Sequence, residues 1–184
     1  NMYLTLEDDN YLYYVMYLLG LMLFMGEYYG YNFQLFWRNS PTFHEAISMP
    51  IIVFSFFTGL LFTKNFLNTK KNFVKMDQFL AILMYHFLVL GILSFIIDNS
   101  LITLYAAIFL IVLYSVGIIY VSILSIQKKV SGSKYFLAAW IMSTLSLLLS
   151  SAMVQGYINY DNLLYDSFAI VIVLNILMLA FALV

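Results

Sequence analysis

Long apolar runs separated by short polar intervals dominate the chain. A membrane-spanning helix needs roughly 20 mostly apolar residues, because the hydrocarbon core is about 30 Å thick and a helix rises about 1.5 Å per residue. Five stretches meet this requirement, near 49–67, 78–97, 101–126, 135–157 and 164–184. The pattern predicts five spanning helices without internal proline. The first is expected to open with Ser48 as N-cap and Pro50 in its first turn.

A sixth apolar stretch, 11–25, is shorter and is followed by Gly26 and Glu27. Tyrosine-rich sequence then continues to Trp37, and Tyr and Trp side chains favour the headgroup level of a membrane. This stretch is therefore either a short spanning helix or an interfacial one. We expect residues 1–48 to form an N-terminal extension and residues 49–184 to form a five-helix membrane bundle.

Composition supports this fold class, an all-α, polytopic transmembrane helix bundle with five or six spanning helices. Hydrophobic residues make up 64% of the 184 residues and charged residues only 9%, whereas soluble domains carry about a quarter charged residues. The net charge of −1 provides no basic face, so the sequence excludes nucleic-acid binding. The chain contains no cysteine, which excludes disulfides and thiolate metal sites.

Charge alternates between the predicted loops. The loop at 64–77 carries four lysines and the loop at 127–134 carries three, whereas the two intervening connections carry Asp98 and Asp161. By the positive-inside rule, the lysine-rich loops face the cytoplasm or, in a mitochondrion, the matrix. Lysines far outnumber the single arginine, which is typical of AT-rich mitochondrial genomes. We therefore expect a multi-pass protein of the mitochondrial inner membrane, with a bacterial or other membrane protein as the alternative.

Few polar residues interrupt the apolar stretches. Ser143, Ser146 and Ser150 recur on one face of the fourth stretch, and Asn175 lies in the fifth; we expect these four to pack helices together.

The remaining polar residues suggest no independent catalysis. His86 lies mid-helix and is expected to be a neutral imidazole bonded to a neighbouring helix, while His44 lies in the preceding loop region. The sequence contains no cluster with metal-ligand spacing and no Ser/His/Asp arrangement. Glu27 is a candidate proton carrier, with a merely solvated interfacial carboxylate as the alternative.

The third stretch is the longest. Its single glycine, Gly117, is flanked by Tyr114 and Tyr120. Glycine allows close helix contact, and single-turn π-bulges are common at functional sites within helices. Gly117 is therefore either a packing notch or part of a switchable segment.

The sequence YAAIFLIVLYSVGIIYVSIL (105–124) resembles the third helix of chain 6 of the proton-pumping NADH:ubiquinone oxidoreductase, respiratory complex I. The run from Asp77 to Gly91, followed closely by DNS, and the sequence LLYDSF (163–168) are similar to the second and last helices of that family. The likeness covers 49–184. It departs from the family at Ser115, which is an insertion, and at the loop NFVKMDQ, which lacks the family's proline and histidine.

The resemblance implies a membrane-arm subunit that couples quinone reduction to proton translocation through a switchable third helix. By position, Tyr105, Tyr114, Val116 and Gly117 would form the switch, and Glu27 is added as a candidate for the proton path. The resemblance implies no catalytic site, cofactor or metal in this chain. Ubiquinone, flavin and iron–sulfur clusters would be bound by partner subunits. The expected partners are other hydrophobic subunits of a respiratory complex and phospholipids, with loops 64–77 and 127–134 on the matrix side.

Two alternatives remain open. Residues 20–37 and 134–140 resemble segments of cytochrome c oxidase subunit III, but the histidine and acidic residues that follow the tryptophan in that family are missing. The other alternative is a lineage-specific structural subunit or a small transporter. Transporters usually show inverted repeats and interrupted polar helices, and the sequence shows neither.

Overall fold

The structure is a computed structural model that describes residues 9–97, 100–154, 156–159 and 162–183. Within these ranges all regular secondary structure is helical. The helices are α1 (Asp9–Tyr28), α2 (Tyr31–Phe36), α3 (Pro41–Phe66), α4 (Thr69–Asn72), α5 (Val74–Leu93), α6 (Ser100–Gln127), α7 (Ser133–Val154) and α8 (Asn162–Ala182). Asp98 and Asp161, on which the predicted charge alternation partly depends, lie outside the described residues.

Four helical segments in the described part of the chain are long and apolar enough to cross a membrane. They are Pro41–Phe66, Val74–Leu93, Leu101–Gln127 and Ser133–Met153. A shorter apolar segment, Asp166–Ala182, lies in α8. Large apolar side chains such as Ile82, Phe109 and Val173 are exposed on the outer faces of these helices, as expected when lipid is the solvent. The prediction of an all-helical, multi-pass membrane protein is confirmed, whereas the count of five or six spans stays a prediction.

The first predicted span begins earlier in the structure than the sequence pattern predicts. Helix α3 begins at Pro41 rather than near residue 49, and Pro50 lies inside it. The expectations that Ser48 caps this helix and that no proline interrupts a span are therefore wrong. Proline is favoured in the first turn, where its missing N–H would have had no partner, and Pro41 fills that role instead of Pro50. The predicted boundary at residue 48 consequently falls within a continuous helix.

The chain divides into two compact units, Asn1–Gly117 and Ile118–Val184. In the first unit, α3 packs against both α1 and α5. Aromatic rings form its centre: Phe56 stacks on Phe87 with 5.6 Å between ring centroids. The Tyr114 ring meets both edge-on, at 4.9 Å from Phe56 and 6.2 Å from Phe87. This aromatic packing joins α3, α5 and the first part of α6.

Helix α1 runs antiparallel to α3 along nearly its whole length. The Asn65 side chain donates to Asn10 Oδ1 at one end, at 3.0 Å. In the middle, the Ser55 hydroxyl donates to the Gly20 carbonyl at 2.6 Å. A Cβ at Gly20 would lie only 2.6 Å from Thr58 Oγ1 and 3.0 Å from Ser55 Cα, so the missing side chain is what allows the close approach of the two helices.

The second unit contains the end of α6 and an antiparallel pair formed by α7 and α8. Asn175 of α8 is fully buried. Its side-chain amide donates to the Ala139 carbonyl at 3.1 Å and to Ser143 Oγ at 2.8 Å. A buried amide needs such partners, since an unsatisfied polar group is costly away from water. These bonds tie α8 to α7.

Candidate functional site

The ends of α1, α2 and α3 meet in a polar group of side chains, which we call the Glu27 cluster: Glu27, Asn32, Trp37, His44 and Ser48. Glu27 lies in the last turn of α1. The chain then reverses through Gly30, whose φ of 74° is in the left-handed region that favours glycine. Helix α2 follows and places Asn32 beside Glu27. Trp37 and His44 come together across the turn that leads into α3.

The Glu27 carboxylate is held on both of its oxygens. The Ser48 hydroxyl donates to Oε1, and the same hydroxyl lies 2.8 Å from the His44 carbonyl oxygen. Asn32 Nδ2 donates to Oε2 at 3.3 Å and to the Leu23 carbonyl at 2.8 Å. The Glu27 side chain is only 11% exposed. These bonds give the carboxylate a fixed position in a largely desolvated site.

His44 completes the cluster. Its Nδ1 accepts a hydrogen bond from Trp37 Nε1 at 3.0 Å and lies 3.6 Å from Glu27 Oε1. The Phe33 ring packs on the imidazole with centroids 5.0 Å apart. The imidazole side chain is 27% exposed, so water reaches it. The cluster thus combines a fixed carboxylate with a solvent-accessible titratable ring.

A second polar group, which we call the Lys64 cluster, lies at the opposite end of α3 and consists of Lys64, Thr69 and Asp77. Lys64 Nζ lies 3.2 Å from Asp77 Oδ1 and donates to the Asp77 carbonyl oxygen at 3.1 Å. The Thr69 hydroxyl donates to Asp77 Oδ1 at 2.6 Å. These contacts join α3, α4 and α5 within the lysine-rich loop that the sequence analysis identified.

The residues predicted to form the helix switch are not brought together. Tyr114 is buried, and a Cβ at Gly117 would lie 2.7 Å from Phe79 Cε1, so both face the packed side of α6. Tyr105 and Val116 are instead 68% and 62% exposed on its outer side. Helix α6 is α-helical from Ser100 to Gln127. Glu27 belongs to the Glu27 cluster.

The predicted packing residues lie on the α7–α8 pair. Ser143 accepts the bond from Asn175, and Ser146 and Ser150 are 5% and 4% exposed. Ser146 Oγ has no hydrogen-bond partner within the described residues.

His86 does not behave as expected. Its Nδ1–H donates to the Ile82 carbonyl of its own helix at 2.8 Å, and its ring is exposed. The expectation of a bond to a neighbouring helix is wrong, because residue 86 lies on the outer face of α5 next to the exposed Tyr85.

The described residues contain no group of three or more His, Asp or Glu side chains that could hold a metal ion. The sequence does not predict the Glu27 cluster, because Glu27 and His44 are 17 residues apart and the tyrosine-rich stretch before Trp37 is typical of a membrane interface. The sequence offers one weak indication of the cluster. Trp37 and His44 flank Pro41, and a proline in a first turn marks a helix start, which places the two side chains on either side of a turn.

Comparison with known proteins identifies the family. No curated protein and no solved structure matches the chain. The family described as 7TM diverse intracellular signalling matches it over residues 1–184. The match covers the whole chain, and the all-helical, multi-pass architecture agrees with it. The chain therefore belongs to the 7TM diverse intracellular signalling family.

Proposed function

We propose that this chain is a signal-transducing membrane domain, in which a change at the Glu27 cluster rearranges helices and alters contacts with an intracellular partner. The observation that carries the proposal is the family match along all 184 residues. The arrangement of α3 supports it, because a single helix connects the Glu27 cluster with the Lys64 cluster.

The pairing of α1 with α3 supports a transmembrane route for the signal. Helix α1 contacts α3 from Asn10, beside Asn65, to Glu27, beside Ser48. At about 1.5 Å per residue this distance is about 26 Å, close to the thickness of the hydrocarbon core. If α3 spans the membrane, α1 spans it alongside, as a sixth crossing. The Glu27 cluster then faces one side of the membrane and the Lys64 cluster the other.

A response assay tests the signalling role. We compare cells that make the full chain with cells that lack it, shift the external pH or salt concentration, and measure protein phosphorylation and cyclic-nucleotide levels. A signalling domain predicts that these responses are lost without the chain and restored by re-expression, while oxygen consumption is unchanged. Unchanged phosphorylation and nucleotide responses combined with impaired respiration would contradict the proposal.

The membrane-arm role in complex I stays a prediction. The tight contact of Gly117 with Phe79, beside the buried Tyr114, fits the alternative in which Gly117 is a packing notch. If the chain has the membrane-arm role, Gly117→Val would impair quinone-linked turnover and proton pumping while leaving NADH oxidation by artificial acceptors intact.

Native gels distinguish the signalling proposal from membership of a respiratory complex. Complex I membership predicts comigration with NADH dehydrogenase activity, and an oxidase subunit predicts comigration with haem a. The signalling proposal predicts comigration with neither.

A further inference from the structure

One nitrogen atom in the Glu27 cluster has two competing partners. His44 Nδ1 lies 3.0 Å from the Trp37 indole nitrogen and 3.6 Å from a Glu27 carboxylate oxygen. We infer that His44 is a proton-operated switch that binds Trp37 when neutral and Glu27 when protonated. The switch does not depend on the proposed signalling function, although it would supply that function with a proton-sensitive input.

The neutral state follows from the donor chemistry. An indole N–H can only donate, so the Trp37 bond requires a bare lone pair on His44 Nδ1. The ring proton must then sit on Nε2. In this tautomer Nδ1 has no hydrogen to offer Glu27, whose Oε1 accepts from Ser48 instead. The 3.6 Å separation between His44 and Glu27 is longer than a hydrogen bond, as this state requires.

Protonation reverses the preference. A proton taken from water occupies the Nδ1 lone pair, so Trp37 Nε1–H loses its acceptor and faces another N–H. The new Nδ1–H carries positive charge and has Glu27 Oε1 as a nearby anionic acceptor. A shortening of this distance by somewhat less than 1 Å closes a charge-assisted hydrogen bond, which is typically about 2.7–2.9 Å long. No bond to carbon changes, and the only species transferred is the proton.

The charged surroundings favour Glu27 as the partner of the protonated ring. Glu27 is the carboxylate that α1 presents to His44. The other ionisable side chains on the adjoining segments are Tyr28 and Tyr29 at the end of α1, Tyr31 on α2, Arg38 in the connection and Glu45 on α3. Glu27 and Glu45 are the anionic neighbours of the imidazole, whereas Arg38 and the positive end of the α3 dipole are its cationic neighbours. Arg38 and Glu45 are exposed to water, which weakens their influence.

The switch changes which helices are tied together. In the neutral state the Trp37–His44 bond fastens the end of α2 to α3. In the protonated state that bond is gone, and an ion pair between His44 and Glu27 fastens α3 to α1 instead. Proton binding therefore exchanges an α2–α3 contact for an α1–α3 contact.

Tryptophan fluorescence of the full chain in lipid vesicles tests the switch. The chain has two tryptophans, so Trp140→Phe leaves Trp37 as the single reporter. Because a protonated imidazole quenches indole emission, we expect Trp37 fluorescence to fall in one transition between about pH 8 and pH 5, the range in which histidine changes its charge. Absence of this transition would overturn the inference.

Three variants of the Trp140→Phe chain identify the groups involved. His44→Gln should abolish the transition. His86→Gln, which removes the other histidine of the chain, should leave it unchanged and is the matched control. Glu27→Gln should move the transition to lower pH, because the protonated ring loses its anionic partner. A transition that persists in His44→Gln, follows His86, or ignores Glu27→Gln would overturn the inference.

A second measurement needs no change at the site. Nitrogen NMR of the chain labelled with ¹⁵N-histidine, with His86→Gln to assign the signals, reports the protonation of each ring nitrogen. The switch requires His44 to carry its proton on Nε2 above about pH 8 and on both nitrogens below about pH 5. A proton on Nδ1 at high pH would contradict it, because Trp37 would then have no acceptor there.

Discussion

The two ends of α3 hold their polar side chains in different ways. In the Lys64 cluster, the ammonium group offers three hydrogens, so its contacts with the Asp77 carboxylate and the Asp77 carbonyl do not compete. In the Glu27 cluster, His44 Nδ1 offers a single position to both Trp37 and Glu27. The first arrangement is fixed and the second admits two states, although both clusters lie on one helix.

The difference shows that a polar cluster becomes switchable when partners outnumber the positions available to bind them. Histidine is the side chain whose charge ordinarily changes between about pH 5 and 8, and the Lys64 cluster contains none. Three experiments test the difference between the two clusters, in order of decreasing size of effect.

The sidedness of the two ends gives an all-or-none result. Because the chain has no cysteine, single cysteines at the exposed positions Glu45 and Lys71 report only those positions. In sealed vesicles a membrane-impermeant maleimide should label Glu45→Cys and Lys71→Cys from opposite sides, since α3 has the length and apolarity of a span. Ser131→Cys, in the other lysine-rich loop, should share the side of Lys71 by the positive-inside rule. Labelling of Glu45 and Lys71 from one side would refute a crossing by α3.

The close contact between α1 and α3 is tested by Gly20→Val. The added side chain would overlap Thr58 and Ser55, so we expect a loss of about 1–3 kcal/mol in the free energy of unfolding. Thermal unfolding in detergent, followed by circular dichroism, measures it. Leu19→Val on the exposed side of α1 is the control and should change stability little. Equal effects of the two changes would mean that α1 does not pack on α3 through Gly20.

The smallest effect is a difference in pH dependence between the two clusters. Trp37→Phe removes a hydrogen bond that exists only while His44 is neutral, so its cost should be about 1 kcal/mol larger at pH 8 than at pH 5. The bond is absent from the native chain at low pH, which fixes this sign. Asp77→Ala removes contacts in which no histidine takes part and should cost nearly the same at both values. Denaturation at the two pH values measures the loss in the free energy of unfolding for both variants. A loss for Trp37→Phe that does not depend on pH would contradict the exchange of partners by His44.

The helices were largely predictable from the sequence because lipid imposes a simple requirement on length and apolarity. The last four predicted spans lie within a few residues of the bounds of helices α5 to α8. The start of α3 was misplaced, because residues such as His44 and Ser48 are polar enough to resemble a loop. Their polarity is accommodated by Glu27, which lies on another helix.

The Glu27 cluster could not be predicted for the same reason. Its bonds join residues that are far apart in sequence, such as Glu27 and Ser48, and they depend on the antiparallel register of α1 against α3. Periodicity identifies the apolar faces of each helix but does not specify which polar residues meet. The bond between Asn175 and Ser143 is similar: the sequence indicated packing residues, but the partner of each amide hydrogen depends on the register of α7 and α8.

Pro50 interrupts the backbone hydrogen bonding of α3 between its first two turns and the rest of the helix. Proline has no N–H, so the Ala46 carbonyl lacks the hydrogen bond that the fourth residue after it normally supplies, and the ring favours a kink at that level. His44 and Ser48 both precede the proline, whereas Ser55, Thr58 and Lys64 follow it. The first two turns of α3 can therefore bend without breaking a backbone hydrogen bond between Pro50 and the Ala46 carbonyl. Bending at this level would let His44 change partners while the apolar part of the helix keeps its register.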